Sequence, residues 1–113
     1  MKSLFVTGTD TDIGKTYVSA GIALALKKSG INVGIMKPLA CGTKQKTRFL
    51  SEDVSMLSDA ANVNDPEDLV NPFFFPILAS PYTAAKTLDI EINVDHILRC
   101  FKKIGRASCR ERV

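Results

Sequence analysis

Nine residues near the amino terminus, Gly8-Thr9-Asp10-Thr11-Asp12-Ile13-Gly14-Lys15-Thr16, constrain this chain more than any other feature. Before them, Lys2 to Thr7 is a short apolar run that reads as a buried strand ended by Gly8. After them, Thr16 to Ser29 is rich in Ala, Leu, Ile and Lys and closes with Lys27 and Lys28 before Gly30, the pattern of a helix C-terminus. Asn32 to Lys37 is again short and apolar, and Pro38 is expected to stop it as a strand. Strand, helix and strand within about 37 residues make a βαβ unit, whose strands run parallel. The turn between the first strand and the helix then gathers backbone N–H groups into a cradle for an anion.

The residues that open the helix fit a phosphate. Lys15 would reach the β- and γ-phosphates of a nucleotide and the Thr16 hydroxyl would ligate Mg²⁺, the division of labour of a P-loop. Five residues, not four, separate Gly8 from Gly14, so the general P-loop pattern alone misses this turn. A glycine turn that merely joins strand to helix leaves the Gly-Lys-Thr triplet unexplained.

Leu39 to Ser51 is small, polar and basic without periodicity and reads as a loop; Asp53 to Ala61 reads as a short helix, and 62–72, with Asn64, Asp65, Pro66, Asn71 and Pro72, as another loop. Phe73 to Phe75 suits a short strand or a hydrophobic plug, more a core feature than a platform for a base. Ser80 followed by Pro81 matches an N-cap with proline at the first helical position, predicting a helix over Pro81 to Thr87. Asn93 caps a final helix over 93–103, on which Val94, Ile97, Leu98, Phe101 and Ile104 form one apolar face and His96 points to solvent. The order predicts an α/β domain, a P-loop NTPase-like parallel sheet flanked by helices. Because parallel sheets normally hold several strands and only two are secure here, the domain reads as truncated after its N-terminal half.

Residues 104–113 (IGRASCRERV) break with what precedes them. They read either as a solvated basic tail or as something more specific: codon for codon, the string resembles the in-frame translation of a common sequencing adapter. On that reading 1–103 is the domain and 104–113 a non-native tail. The net charge of +3 also shrinks once Arg106, Arg110, Glu111 and Arg112 are set aside, leaving a nearly neutral body. That argues against nucleic acid or an anionic membrane as main partner. No apolar stretch approaches the ~20 residues of a bilayer span, and the amino-terminal run is shorter than a signal peptide's apolar core, so the expected location is the cytoplasm. Cys41, Cys100 and Cys109 are scattered and His96 is the one histidine, which supports neither a disulfide framework nor a zinc site.

GTDTDIGKT, followed 22 residues after Lys15 by Lys37-Pro38-Leu39-Ala40-Cys41-Gly42, resembles the dethiobiotin synthetases, and the resemblance continues through Glu52-Asp53, Asn71-Pro72 and Ser80-Pro81. It implies an ATP- and Mg²⁺-dependent ligase of biotin biosynthesis that closes a ureido ring on 7,8-diaminononanoate (7,8-diaminopelargonate) with CO₂, releasing ADP and phosphate, and that is a homodimer when full length. It also implies site residues: Lys15 and Lys37 in catalysis; Asp12, Ile13, Gly14, Lys15, Thr16, Tyr17 and Asp53 around the nucleotide; Thr11, Lys37 and Cys41 around the substrate; Thr16 and Asp53 around Mg²⁺. Lys37 reads otherwise as a surface lysine that ends a strand, Asp53 as an acid favoured by a helix N-terminus, and Asp12 as a turn acid. Cys41 departs from the serine common in the family. A thiol donates weakly, and Gly42 beside it is expected to offer its backbone N–H instead. The family's later Mg²⁺-binding glutamate and adenine-recognition segments have no counterpart here, so the chain alone is expected to be inactive. The rival readings are a cobyrinate- or cobyrate-type ATP-dependent amidase of the same fold, and a partition or septum-placement ATPase. The Lys37 to Gly42 segment with Ser80-Pro81 disfavours the first, and the lack of a Lys-Gly-Gly start to the loop disfavours the second.

Overall fold

The computed structural model describes residues 3–8, 14–42, 45, 51–106 and 111–113. Helix α1, Lys15–Lys28, begins directly after Gly14, whose φ of 95° is a left-handed conformation open to glycine. It ends at Ser29 in a Schellman arrangement: the Gly30 N–H donates to the Lys27 carbonyl and the Ile31 N–H to the Leu26 carbonyl, both at 3.1 Å, with Gly30 at φ 85°. Lys27 and Lys28 lie in its last turn, where the helix dipole favours cations.

One extended stretch then carries two strands with different partners. β1, Val33–Gly34, pairs in parallel with β4, Glu111–Arg112, and β2, Leu39–Cys41, pairs in parallel with β3, Phe73–Phe75. The Lys37 N–H donates to Val70 O at 2.8 Å, so the change of partner falls around Lys37 and Pro38. The α/β reading with parallel pairing holds, but the boundaries differ. Pro38 does not end the extended chain: it lacks only a donor, and its carbonyl accepts from the Phe73 N–H at 3.1 Å. The loop expected from Leu39 therefore begins three residues late. Of the run Lys2 to Thr7, expected as a buried strand ended by Gly8, Ser3 makes an isolated bridge, Leu4 to Thr7 have no strand structure, and Leu4 and Phe5 are exposed, so the first strand of the expected βαβ unit is not formed among the described residues. A strand exists through its ladder, and among the described residues that run has only the single bridge at Ser3.

Helix α2, Glu52–Ala61, is capped by Ser51, whose Oγ accepts from the Val54 N–H. The predicted loop 62–72 contains a four-residue helix, α3, Glu67–Val70. Helix α4, Pro81–Thr87, starts as expected, with Ser80 Oγ accepting from the Thr83 N–H at 3.3 Å. Helix α5, Val94–Arg106, is capped by Asn93 Oδ1 and runs past 103 without a break. Two cores result. One joins Ala23 of α1, Val33 and Ile35, Val54, Leu57 and Ala61 of α2, Val63 and Val70; the other surrounds Phe75, Ala84 and Ala85.

The buried face of α5 is rotated from the expected one. Ile104 is fully buried, but Val94 and Leu98 are exposed, while Cys100 is buried and His96 half-buried. The reason is what α5 meets: the Cys100 thiol donates to the Asp68 carbonyl of α3 at 3.6 Å, and the His96 ring stands edge-on to Phe73 with centroids 5.9 Å apart. His96 is thus a packing residue, not a solvent-facing one. No helix among the described residues is long and apolar enough to cross a membrane.

Candidate phosphate-binding cavity

The start of α1, the β1–β2 junction, the first turn of α2 and the approach to α4 enclose a cavity of about 1090 Å³. Gly14, Lys15, Thr16 and Tyr17 line its α1 side, with Lys15 and Thr16 half-buried and Tyr17 exposed. The first hydrogen bond within the helix runs from the Val18 N–H to Gly14 O at 2.9 Å. The amides before it belong to the turn that in any helix lacks an intrahelical acceptor, and this first turn holds no acid to compete for them. An anion is the ligand such a wall favours.

Lys37 enters from the junction and meets Asp53, in the first turn of α2, with Nζ and Oδ2 2.8 Å apart. Both side chains are partly exposed, at 30% and 43%, so the pair is accessible from the cavity and easily exchanged for another partner. Cys41, on β2, forms part of the same wall. Burial pushes its thiol above the ordinary value while nearby Lys37 pulls the other way, so at neutral pH the group stays a thiol.

The structure therefore brings together Gly14, Lys15, Thr16, Tyr17, Lys37, Cys41 and Asp53 of the expected site. Thr11, Asp12 and Ile13 lie outside the described residues. Two expectations need correction. Lys37 lies between two strands and not at the end of one. The Gly42 N–H is not available to a ligand, because it donates to Phe75 O at 3.1 Å and so extends the β2–β3 ladder. The reading of Phe73 to Phe75 as core holds: Phe75 is buried and Phe73 stacks on it at 6.3 Å. Sequence reasoning missed the far wall of Leu78, Ala79, Ser80 and Pro81. The Ser-Pro helix start was visible, but its distance from the α1 turn was not.

A nucleotide-binding P-loop protein is the class that this strand junction, helix start and lysine-lined cavity define, and a family model of the AAA domain matches residues 2–108. The chain belongs to the AAA-domain family. It is 59% identical over 106 residues to the ATP-dependent dethiobiotin synthetase BioD of Nitrosopumilus maritimus, covering 94% of this chain and 46% of that protein. The proteins of the same name from Caldicellulosiruptor saccharolyticus and Akkermansia muciniphila are 36% and 37% identical over 107 and 111 residues, covering 94% and 95% of this chain and 44% and 47% of theirs. The resemblance read from the motifs is borne out. The chain spans under half the length of these curated relatives.

Proposed function

We propose that the cavity is the phosphoryl-transfer part of an ATP-dependent dethiobiotin synthetase acting in biotin biosynthesis. The observation that carries this is the convergence of Lys15 and Lys37, distant in sequence, on one cavity that also holds Thr16 and Asp53. Phosphoryl transfer asks a protein mainly for positioning and for charge neutralisation at the oxygens that gain charge. The names of the relatives support the same reading.

One amine of 7,8-diaminononanoate takes up CO₂ as a carbamate and releases a proton. A carbamate oxygen attacks the γ-phosphorus of ATP, and the bond to ADP breaks. The second amine then attacks the carbonyl of the mixed anhydride, phosphate leaves, and the ureido ring closes. Lys15 and the first-turn amides of α1 hold the β- and γ-phosphates, with Asp12, Ile13, Tyr17 and Asp53 contributing around the nucleotide. Lys37 exchanges Asp53 for the carbamate and follows its charge to the transferred phosphoryl group. Thr11 and Cys41 border the substrate. The Thr16 hydroxyl and Asp53 carboxylate are hard oxygen donors lining the same cavity, and among the described residues no cluster of three His, Cys, Asp or Glu encloses a metal. That set fits Mg²⁺, which takes few protein ligands and completes its shell with phosphate and water, and which here would neutralise phosphate charge.

Residues 1–103 fused to the C-terminal portion of the Nitrosopumilus protein test the reading. ATP hydrolysis is expected only when diaminononanoate and bicarbonate are both present, with dethiobiotin formed; activity on cobyrinate instead overturns it. In that fusion Lys37→Gln should lower kcat by about 10²-fold while ATP affinity stays nearly normal, because the interaction strengthens during transfer.

Cys41→Ser should keep or improve diaminononanoate affinity by about 0.5–1.5 kcal/mol, since a hydroxyl is the stronger donor, whereas Cys41→Leu should block it. Calorimetric titration distinguishes these, and normal substrate binding by Cys41→Leu would remove Cys41 from the site. On the same footing we take residues 104–113 as adapter translation. Sequencing the source DNA through codon 103 checks this, and a genomic match to those ten codons overturns it.

A further inference from the structure

One buried polar side chain at the β1–β2 junction has no part in the chemistry above. Asn71 is 5% exposed, and its Nδ2 donates to the Lys37 carbonyl at 2.8 Å and to the Phe73 carbonyl at 3.0 Å. The need for these bonds follows from the chain on either side. Lys37 N–H bonds Val70 O and Phe73 N–H bonds Pro38 O, so Lys37 and Pro38 face the longer stretch Val70 to Phe73. Within that stretch the Asn71 N–H goes to Glu67 O at 2.7 Å, and Pro72 has no N–H. Neither has a main-chain donor for the Lys37 carbonyl, and the Asn71 carboxamide supplies it.

The amide does this at a cost to itself, because its Oδ1 is buried with no hydrogen-bond partner. Its orientation is fixed all the same: an oxygen in place of Nδ2 would repel two carbonyl oxygens. Asn71 is therefore held for what it donates. What it donates to is the peptide from which the Lys37 side chain leaves for Asp53, 2.8 Å from Nζ, and for the cavity.

We propose that Asn71 is the positioning residue for Lys37, its carboxamide pinning the Lys37 peptide so that the ammonium group is aimed at Asp53 and into the cavity. It touches neither phosphate nor substrate. A swing of the Lys37 peptide moves the end of a long side chain, and displacements of about 1 Å matter in a site that works by placement. The functional meaning of this placement rests on the proposed role of Lys37, but the placement itself can be read without any ligand.

The experiment is amine acylation of the whole chain by an N-hydroxysuccinimide acetate, with each lysine followed by peptide mass spectrometry. Lys27 and Lys28, exposed on the last turn of α1, are the internal standards. Asn71→Ala is expected to raise Lys37 acylation about two- to fivefold against those standards, the range a partly exposed ion pair supports. Asp53→Asn should give the same rise, and the double variant no more than either alone, because both changes release the same contact. Asn71→Ser, whose hydroxyl can keep one of the two bonds, should fall between. An unchanged Lys37 rate in Asn71→Ala overturns the proposal, as do effects that multiply in the double variant. So does a parallel rise at every lysine, which would assign Asn71 to the scaffold as a whole. ATP turnover by the fusion with diaminononanoate and bicarbonate is separate: its failure would count against the proposed function and leave the acylation result standing.

Discussion

Lys15→Ala is expected to cut ATP turnover by about 10²–10³-fold in the fusion with the Nitrosopumilus portion, the loss seen when one donor to a developing oxyanion is removed. The argument is positional. Lys15 is the first residue of α1, follows a left-handed Gly14, and lines the cavity with Thr16 and Lys37. A cation there adds to the field of the helix N-terminus, and it gains in value as charge accumulates on the γ-phosphoryl oxygens. The loss should therefore exceed the loss in ATP affinity. Lys27→Ala, exposed at the opposite end of the same helix, is the control and should be silent. Turnover and nucleotide titration on both variants check this, and full turnover by Lys15→Ala would refute the phosphate site.

Phe75→Ala should destabilise the fold by about 3–5 kcal/mol, read as a fall in the urea midpoint with little change in slope. Phe75 is 1% exposed, stacks on Phe73, and anchors the core that includes Ala84 and Ala85 while pairing across the ladder with Cys41. Few contacts elsewhere can replace it, since among the described residues that core has three buried members, two of them alanines. Against a total stability of about 5–15 kcal/mol for a domain, such a loss is a large fraction. Phe5→Ala, at a position 85% exposed, should change stability by less than about 0.5 kcal/mol. Equal effects of the two would mean that the Phe75 core does not hold the ladder.

Local signals in the sequence carried well into the structure. Gly30, Ser80 and Asn93 mark helix ends by capping chemistry that acts within a few residues, and each stands at the expected helix end or beside it; Ser51, expected only as the end of a loop, proves to be a cap as well. The Gly14-Lys15-Thr16 start of α1 is legible for the same reason. What failed were features decided by distant partners. A strand at Lys2 to Thr7 depends on a neighbouring ladder, the end of the second strand at Pro38 on Phe73, and the buried face of α5 on α3. Within the site, Lys37 could be named from its Pro38 neighbour, but its contact with Asp53 and its support by Asn71 join residues 16 and 34 positions apart. No periodicity records such a pairing.

The parallel ladder between Val33–Gly34 and Glu111–Arg112 also governs how a shortened chain would behave. Val113 accepts from the Met36 N–H and donates to Gly34 O, both at 2.9 Å, and packs against the core around Val33. Ending the chain at Lys103 would strip those partners away and turn Val33 to Met36 into an open sheet edge, a template on which a second molecule can lay its own strand. Dimers or larger species of such a chain would then report an uncapped edge, and their size would say nothing about how the longer protein assembles.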